Sequence, residues 1–345
     1  MKGKLSDSVY SSLATVAFVI ALLGSFLNGL TIATFLKHKK NLSVPNIIIF
    51  SLMVSNFVLS SIAIPFNIHA NIMKKWTFGV PGCKAYGFIN SLCGLASMSH
   101  LAGAAFQRYD TIDRGTRGKG FFNERRAVYF VIFLWFYSFV FSVAPLVNWS
   151  SYTIEGVGTS CAVDWSSSNP TAVSYIVILF IFGFFLPLGI IVFSYYRVFK
   201  LVRLMRINAN NIWGNSSVAA RNTLNIERKM VFLILVMIGA FLISWTPYAV
   251  VSLISATGNR RLIGPLVASI SAYIAKSSCI YNPIIYVFML KTFRRKMIAM
   301  LTSARCREYL REKQCRVFPT TVLPKPKASD KDSALKQRFG NTTSV

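Results

Sequence analysis

Lys276 lies near the middle of an uncharged stretch running from Ser269 to Tyr281, inside an apolar run long enough to cross a bilayer. An ammonium at mid-membrane costs roughly 3 kcal/mol on insertion scales, so such a lysine is functional by default unless a buried carboxylate pairs with it. The chain has eleven acids with which to test that alternative. Asp110, Asp113, Glu124, Glu227, Glu308, Glu312, Asp330 and Asp332 stand at or beyond the ends of apolar runs, and Asp7 precedes the first run. Glu155 and Asp164 fall in the connection between the fourth and fifth runs. No run holds an acid near its middle, so an intramembrane ion pair does not account for Lys276. Burial disfavours a charged amine, and the neutral amine is what attacks an aldehyde, so residue type and location point to imine chemistry with a carbonyl ligand. A buried imine of a conjugated aldehyde stays protonated only beside an anion. Glu155, six residues before Cys161, is the leading choice, and Asp164, three residues after it, reads as structural.

The elements that must position this lysine are seven apolar runs, at about 14 to 36, 47 to 72, 85 to 106, 127 to 147, 172 to 195, 230 to 255 and 265 to 290. With 54% hydrophobic and 14% charged residues and a mean hydropathy of +0.50, the expected class is an all-α membrane protein, a bundle of seven transmembrane helices. The first run is too long for a cleavable leader and is taken as the first span. A net charge of +27 would suit nucleic acid only if it formed one soluble face; here it sorts by side of the membrane. Thirty of the 38 Lys and Arg fall on the side of the connections after spans one, three and five and of the C-terminal tail; seven fall opposite, and Lys276 completes the set. The expected orientation is therefore N-terminus outside and C-terminus cytoplasmic, with a lipid-facing basic inner side. The expected division is an outer N-terminus over 1–13, a transmembrane domain over 14–290, an amphipathic cytoplasmic helix over 291–303 and a flexible tail over 304–345.

Cys83, at the outer end of span three, and Cys161, in the following outer loop, face an oxidising compartment and are expected to form a disulfide. Cys306 and Cys315 follow the basic stretch after span seven and are palmitoylation candidates. Of four glycosylation sequons only Asn148 falls on the outer side. The histidines His38, His69 and His100 are scattered, no metal cluster is spelled out, and no Ser/His/acid set shares one side, so enzyme chemistry and a metal site are not expected.

With these residues in hand, the chain resembles rhodopsin-like G-protein-coupled receptors over all seven spans, and opsins in particular. Asn28, the Gln107-Arg108-Tyr109 segment, Trp135, Pro187, Tyr195, Ser244-Trp245-Thr246-Pro247 and Asn282-Pro283-Ile284-Ile285-Tyr286 stand where that family's pattern expects them. Ala275-Lys276-Ser277 resembles the opsin retinal-attachment segment, which other receptors of the superfamily lack. The resemblance implies retinal as cofactor, held as a Schiff base on Lys276, 11-cis in the dark and all-trans after light. It implies a cleft bounded by Tyr86, Ile89, Asn90, Cys93, Trp165, Phe180, Phe184, Phe241, Trp245 and Tyr248. Tyr86 replaces the glutamate counterion of vertebrate visual pigments, whereas Glu155 matches the other counterion position of opsins, a combination similar to non-vertebrate and often bistable pigments. Arg108, Tyr109 and Glu227, with Tyr195, Asn282, Pro283 and Tyr286, match the positions that gate coupling to a heterotrimeric G protein, and arrestin and a receptor kinase are the other partners implied. Gln107 departs from the family's usual acid, which leaves Glu227 as the expected restraint on Arg108.

The principal alternative is a retinal photoisomerase of the same fold that supplies chromophore without signalling. A peptide or amine receptor leaves Lys276 unexplained. A microbial-type pump needs carboxylates within the bundle, and the acids of this chain lie elsewhere.

Overall fold

The computed structural model of the chain describes residues 6–38, 43–117, 120–212, 218–257 and 263–302. Seven long helices follow in order: α1 (Asp7–Lys37), α2 (Val44–Ile72), α3 (Gly79–Arg117), α4 (Glu124–Val143), α5 (residues 170–212), α6 (Val218–Ala256) and α7 (Pro265–Met289). A short helix α8 (Lys291–Leu301) follows α7. Between α4 and α5 lies an antiparallel hairpin, β1 (Tyr152–Glu155) and β2 (Ser160–Val163), in which Glu155 pairs with Ser160 and Ile154 with Cys161. Chain contacts divide Met1–Met297 from Ile298–Val345, and the described part of the second unit, 298–302, is the last turn of α8.

The helices run past their apolar stretches. α1 begins at Asp7, inside the segment expected as an N-terminal arm, and α3, α5 and α6 continue well beyond the spans on the side opposite the hairpin. Bilayer thickness sets the length of the apolar run, whereas hydrogen bonding and capping set the length of the helix. Asn123 caps α4 by accepting from the Arg126 amide at 2.9 Å, and Asn169 caps α5 by accepting from Thr171 N at 3.0 Å, with Pro170 following at the first helical position.

Two helices widen by one π-helical turn, α2 at Leu59–Ala63 and α5 at Ile181–Phe185. Each widening sits just before a proline, Pro65 or Pro187, which has no amide to offer the carbonyl four residues back. The same chemistry at Pro283 leaves the Cys279 carbonyl without its helical partner. Asn28, fully buried on α1, supplies one: its Nδ2 donates to Cys279 O at 2.9 Å and to Gly24 O at 2.8 Å.

By length and composition, α1, α2 and α4 and the apolar parts of α5 and α6 are hydrophobic enough to cross a membrane. Among the described residues α3 and α7 are not in that set. Both turn polar side chains inward, with Ser97, Ser99, His100, Gln107 and Arg108 buried on α3 and Ser269, Ser271, Lys276, Ser278 and Asn282 buried on α7. α3 packs against α2, α4, α5, α6 and both strands, and α7 against α1, α2, α6 and β1. A helix walled in by protein needs no lipid-compatible face, and its polar groups find partners there. His100 is an instance: its Nδ1 contacts Ala96 O at 2.6 Å, and Ser51 Oγ lies 2.8 Å from its Nε2 while accepting from Trp135 Nε1 at 2.8 Å.

Candidate functional site

The hairpin ties together several of the helices around Lys276. The disulfide Cys83–Cys161, with Cα atoms 5.5 Å apart, ties β2 to the first turn of α3. Asn67 of α2 donates to Thr159 O at 2.9 Å, Val157 N donates to Ser269 Oγ of α7 at 3.0 Å, and Tyr152 reaches Ser142 O of α4 at 2.7 Å. Gly156 and Gly158 take positive φ values of 61° and 90° in the turn, where a side chain would be strained. The hairpin was not legible from the sequence, which gave an all-helical reading of the chain; it amounts to two four-residue strands in a loop.

Lys276 is 8% exposed. Its Nζ donates to Ser160 Oγ at 3.4 Å, and Ser160 Oγ donates to Glu155 Oε1 at 3.3 Å. The lysine and the carboxylate are thus linked through a hydroxyl and not by direct contact, unlike the surface ion pair Lys74–Asp7 at 2.7 Å. The other carboxylate oxygen accepts from Tyr248 OH at 3.2 Å, and Tyr248 OH accepts from Trp165 Nε1 at 3.1 Å. Burial pushes the Glu155 carboxyl above its ordinary value, while the Lys276 charge and then the hydrogen bonds from Tyr248 and Ser160 pull it down; burial prevails. The rings of Tyr273 and Tyr86 lie 5.5 and 5.6 Å from Nζ, within cation–π range. Tyr86 OH donates to Asn67 Oδ1 and sits 3.3 Å from Ser160 Oγ. Its one proton is committed to Asn67, as that of Ser160 is to Glu155, so this last contact is proximity.

Lys276 and Glu155 line a cavity of about 160 Å³. Of the expected cleft residues, Asn90, Trp165, Phe180, Phe184, Phe241, Trp245 and Tyr248 are on its wall. Tyr86, Ile89 and Cys93 stand behind it, packed with Cys83, Cys161 and Tyr273 under the hairpin. Trp245 is fixed by a 3.0 Å bond from its Nε1 to Ser278 Oγ and by stacking on Phe241 at 5.3 Å. Gly94 gives it room: a Cβ there would lie 2.6 Å from the indole Cη2. Ser160, Ser278 and Gly94 escaped the sequence reading. The position of Ser160 beside Cys161 was the available signal, because a disulfide fixes its neighbours as firmly as itself.

At the far end of α3, Arg108 is buried and Tyr109 lies under the Arg197 guanidinium at 5.7 Å. Tyr195 OH reaches Val231 O at 3.4 Å, Tyr286 OH donates to Asn46 Oδ1 at 2.8 Å, and Asn282 and Pro283 are buried in α7. The Glu227 side chain, Cys306, Cys315 and the tail 304–345 lie outside the described residues. Asn148 is exposed, with φ of 68°.

Residues 27–286 match the family described as 7 transmembrane receptor (rhodopsin family). Melanopsin of Homo sapiens is 33% identical over 298 residues, covering 84% of this chain and 61% of that protein. Rhodopsin of Todarodes pacificus is 33% identical over 296 residues, covering 84% and 66%. The chain thus spans somewhat under two thirds of these relatives. The crystal structure of squid rhodopsin superposes with a TM-score of 0.80 and 33% identity, covering 85% of each chain. With the lysine, the disulfide-tied hairpin and the seven-helix bundle in agreement, the chain belongs to the rhodopsin family of seven-transmembrane receptors, as a member of the opsin type.

Proposed function

We propose that this protein is a light-sensing receptor that carries retinal through a Schiff base on Lys276, with Glu155 as counterion, and that activates a heterotrimeric G protein. The observation that carries the reading is the Lys276–Ser160–Glu155 chain opening onto an apolar, aromatic cavity. The wall suits a long conjugated aldehyde: aromatic faces take the polyene, and one amine takes the carbonyl carbon. Bound there, retinal supplies absorption of light and an 11-cis to all-trans change of shape. The protein's residues do the rest. Ser160 relays the negative charge of Glu155 to Nζ, Tyr248 and Trp165 hold that carboxylate in place, and Trp245, packed between Gly94 and Ser278, is the side chain against which a change of shape presses to move α6. Arg108 with Glu227, and Tyr195 and Tyr286, then govern a groove for the G protein, with arrestin and a receptor kinase as further partners. The proposed setting is a plasma or photoreceptor membrane, N-terminus outside, with Cys306 and Cys315 palmitoylated and Asn148 glycosylated. A thermally stable, photoreversible active form follows from Tyr86 standing where vertebrate pigments have their counterion.

The test is reconstitution with 11-cis retinal. A visible band is expected in the parent chain and none in Lys276→Ala, and a covalent pigment in that variant sinks the proposal. In Glu155→Gln the pH at which the visible band gives way to a near-ultraviolet one is expected to fall by about 1 to 3 units, the effect of removing a nearby opposite charge; an unchanged midpoint assigns the counterion elsewhere. A photoisomerase of the same fold is separated by a second-messenger assay under illumination, in which it produces 11-cis retinal and no G-protein activity.

A further inference from the structure

A second cavity, of about 320 Å³, lies on the hairpin side of the site. It is walled by β1 and its turn at Thr153 and Gly156, by Ser255 on α6 and by Pro265 and Ala268 at the start of α7. It reaches the surface at Ile154, which is 53% exposed, and at Ser166. It shares five residues with the inner cavity: Glu155, Val163, Trp165, Tyr248 and Ser252. These five side chains form the layer that partitions the two cavities.

Ser252 is the unexplained member of that layer. It sits one helical turn after Tyr248, on the same face of α6. It is 2% exposed, and its Oγ has no hydrogen-bond partner in the protein. Ser244 and Ser255 of the same helix satisfy theirs on the carbonyl four residues back, at 2.8 and 2.9 Å, so a satisfied alternative exists for a serine that only packs. A buried hydroxyl without a protein partner calls for a small polar molecule. Glu155 points to the same need: each of its oxygens takes one bond, at 3.2 and 3.3 Å, where a carboxylate offers about four acceptor positions in all. Trp165 and Tyr248, joined at 3.1 Å, close the remainder of the layer to anything bulky.

We propose that Ser252 completes a polar passage that binds water and water-sized hydrogen-bonding solutes and connects the outer cavity, along the Glu155 carboxylate, to the Lys276 cavity. The passage gives the half-buried carboxylate its route for exchanging protons with solvent, and it sets how fast small nucleophiles reach Lys276. This last consequence rests on the retinal reading; the binding of small solutes does not.

The first arm of the test uses the full chain without retinal. Ser252→Cys is exposed to a small ammonium-bearing methanethiosulfonate; the thiolate displaces methanesulfinate and keeps the remainder as a mixed disulfide. Mass mapping is expected to show modification at residue 252 at least about tenfold faster than at the buried Cys93 and Cys279 of the same molecules. A rate no faster than theirs overturns the passage. The second arm uses the retinal-loaded chain in the dark with hydroxylamine, whose nitrogen takes over the imine carbon while the bond to Nζ breaks and the lysine leaves with the displaced protons. Ser252→Leu, which fills the gap, is expected to slow loss of the visible band about tenfold, and Ser252→Ala, which keeps the space but removes the hydroxyl, to slow it by a smaller factor of about two to three. Equal rates in the parent and Ser252→Leu overturn the passage. Failure to form any pigment tells against the retinal reading and leaves the labelling arm to decide the passage.

Discussion

The helices most exposed to lipid and those most enclosed by protein are built by opposite rules. α4 and α5 present Tyr129, Phe136, Val192 and Phe199 outward, each more than half exposed, and carry little of the buried polar network. α3 and α7 are the least membrane-like by composition, and between them they hold Lys276, Asn90, Gly94, Arg108, Ser278 and Asn282. Lipid tolerates almost any apolar side chain, so the outer helices are specified by hydrophobicity; the inner ones are specified residue by residue, through partners and through space. The comparison predicts that equal changes in side-chain volume will have unequal effects.

The largest effect is expected at Gly94. A valine there forces its Cβ into the Trp245 ring edge and breaks the Trp245–Ser278 bond, at a cost of about 3 kcal/mol for overpacking a core, read as a lowered melting temperature in detergent. A melting temperature equal to the parent's means the indole can shift freely and removes Trp245 as a fixed element. Next comes Asn28→Ala, which strips the Cys279 carbonyl of the donor that Pro283 cannot replace. The expected loss is about 1 to 2 kcal/mol, moderated because Asn28 Oδ1 is itself without a partner and is removed along with the donor. Asn28→Asp, retaining shape but not the Nδ2 donor, is expected to be at least as damaging.

A smaller effect should come from Glu155, on the hairpin that closes the enclosed region. Its carboxyl is raised above the ordinary value of 4.5, chiefly by burial. The folded chain then keeps a proton that the unfolded chain has released, so the stability from this group is complete below the ordinary value and is lost as pH rises through the raised one. The slope for one proton is at most about 1.4 kcal/mol per pH unit. Melting of the retinal-free chain across that window is expected to slope downward, and Glu155→Gln to flatten it; an upward slope abolished by the same change would reverse the sign of the argument.

The same contrast explains what could be read from the sequence. The seven runs were legible because lipid exposure demands long apolar stretches, and Lys276 was legible because it breaks that demand. Asn28 and Pro283 could be recognised as positions, but the bond from Asn28 to Cys279, 251 residues away, needed the fold. Ser160 was not legible because a hydroxyl carries no charge to mark it as part of a counterion, and a hydroxyl relay is defined only by three atoms in space. On α3, the wall is made by Asn90, Ser91, Gly94, Leu95 and Met98; Ile89 and Cys93 lie one residue round the helix, and Tyr86 a turn higher under the hairpin. Sequence position alone does not fix rotation to that precision.

The outer helices supply the sharpest control. Phe136 of α4 is 62% exposed, and no described hydrogen bond or ring contact involves it. Phe136→Leu removes three side-chain carbons, the number that Gly94→Val adds, yet a lipid acyl chain can fill the space left behind, so no cavity forms and the cavity penalty of a buried site does not arise. The expected change is within about 0.5 kcal/mol, measured as a melting temperature in detergent and again in lipid nanodiscs. A loss approaching that of Gly94→Val would mean that α4 is covered by protein in the assembled state, and a loss seen only in nanodiscs would place a specific lipid or a second copy of the chain on that face.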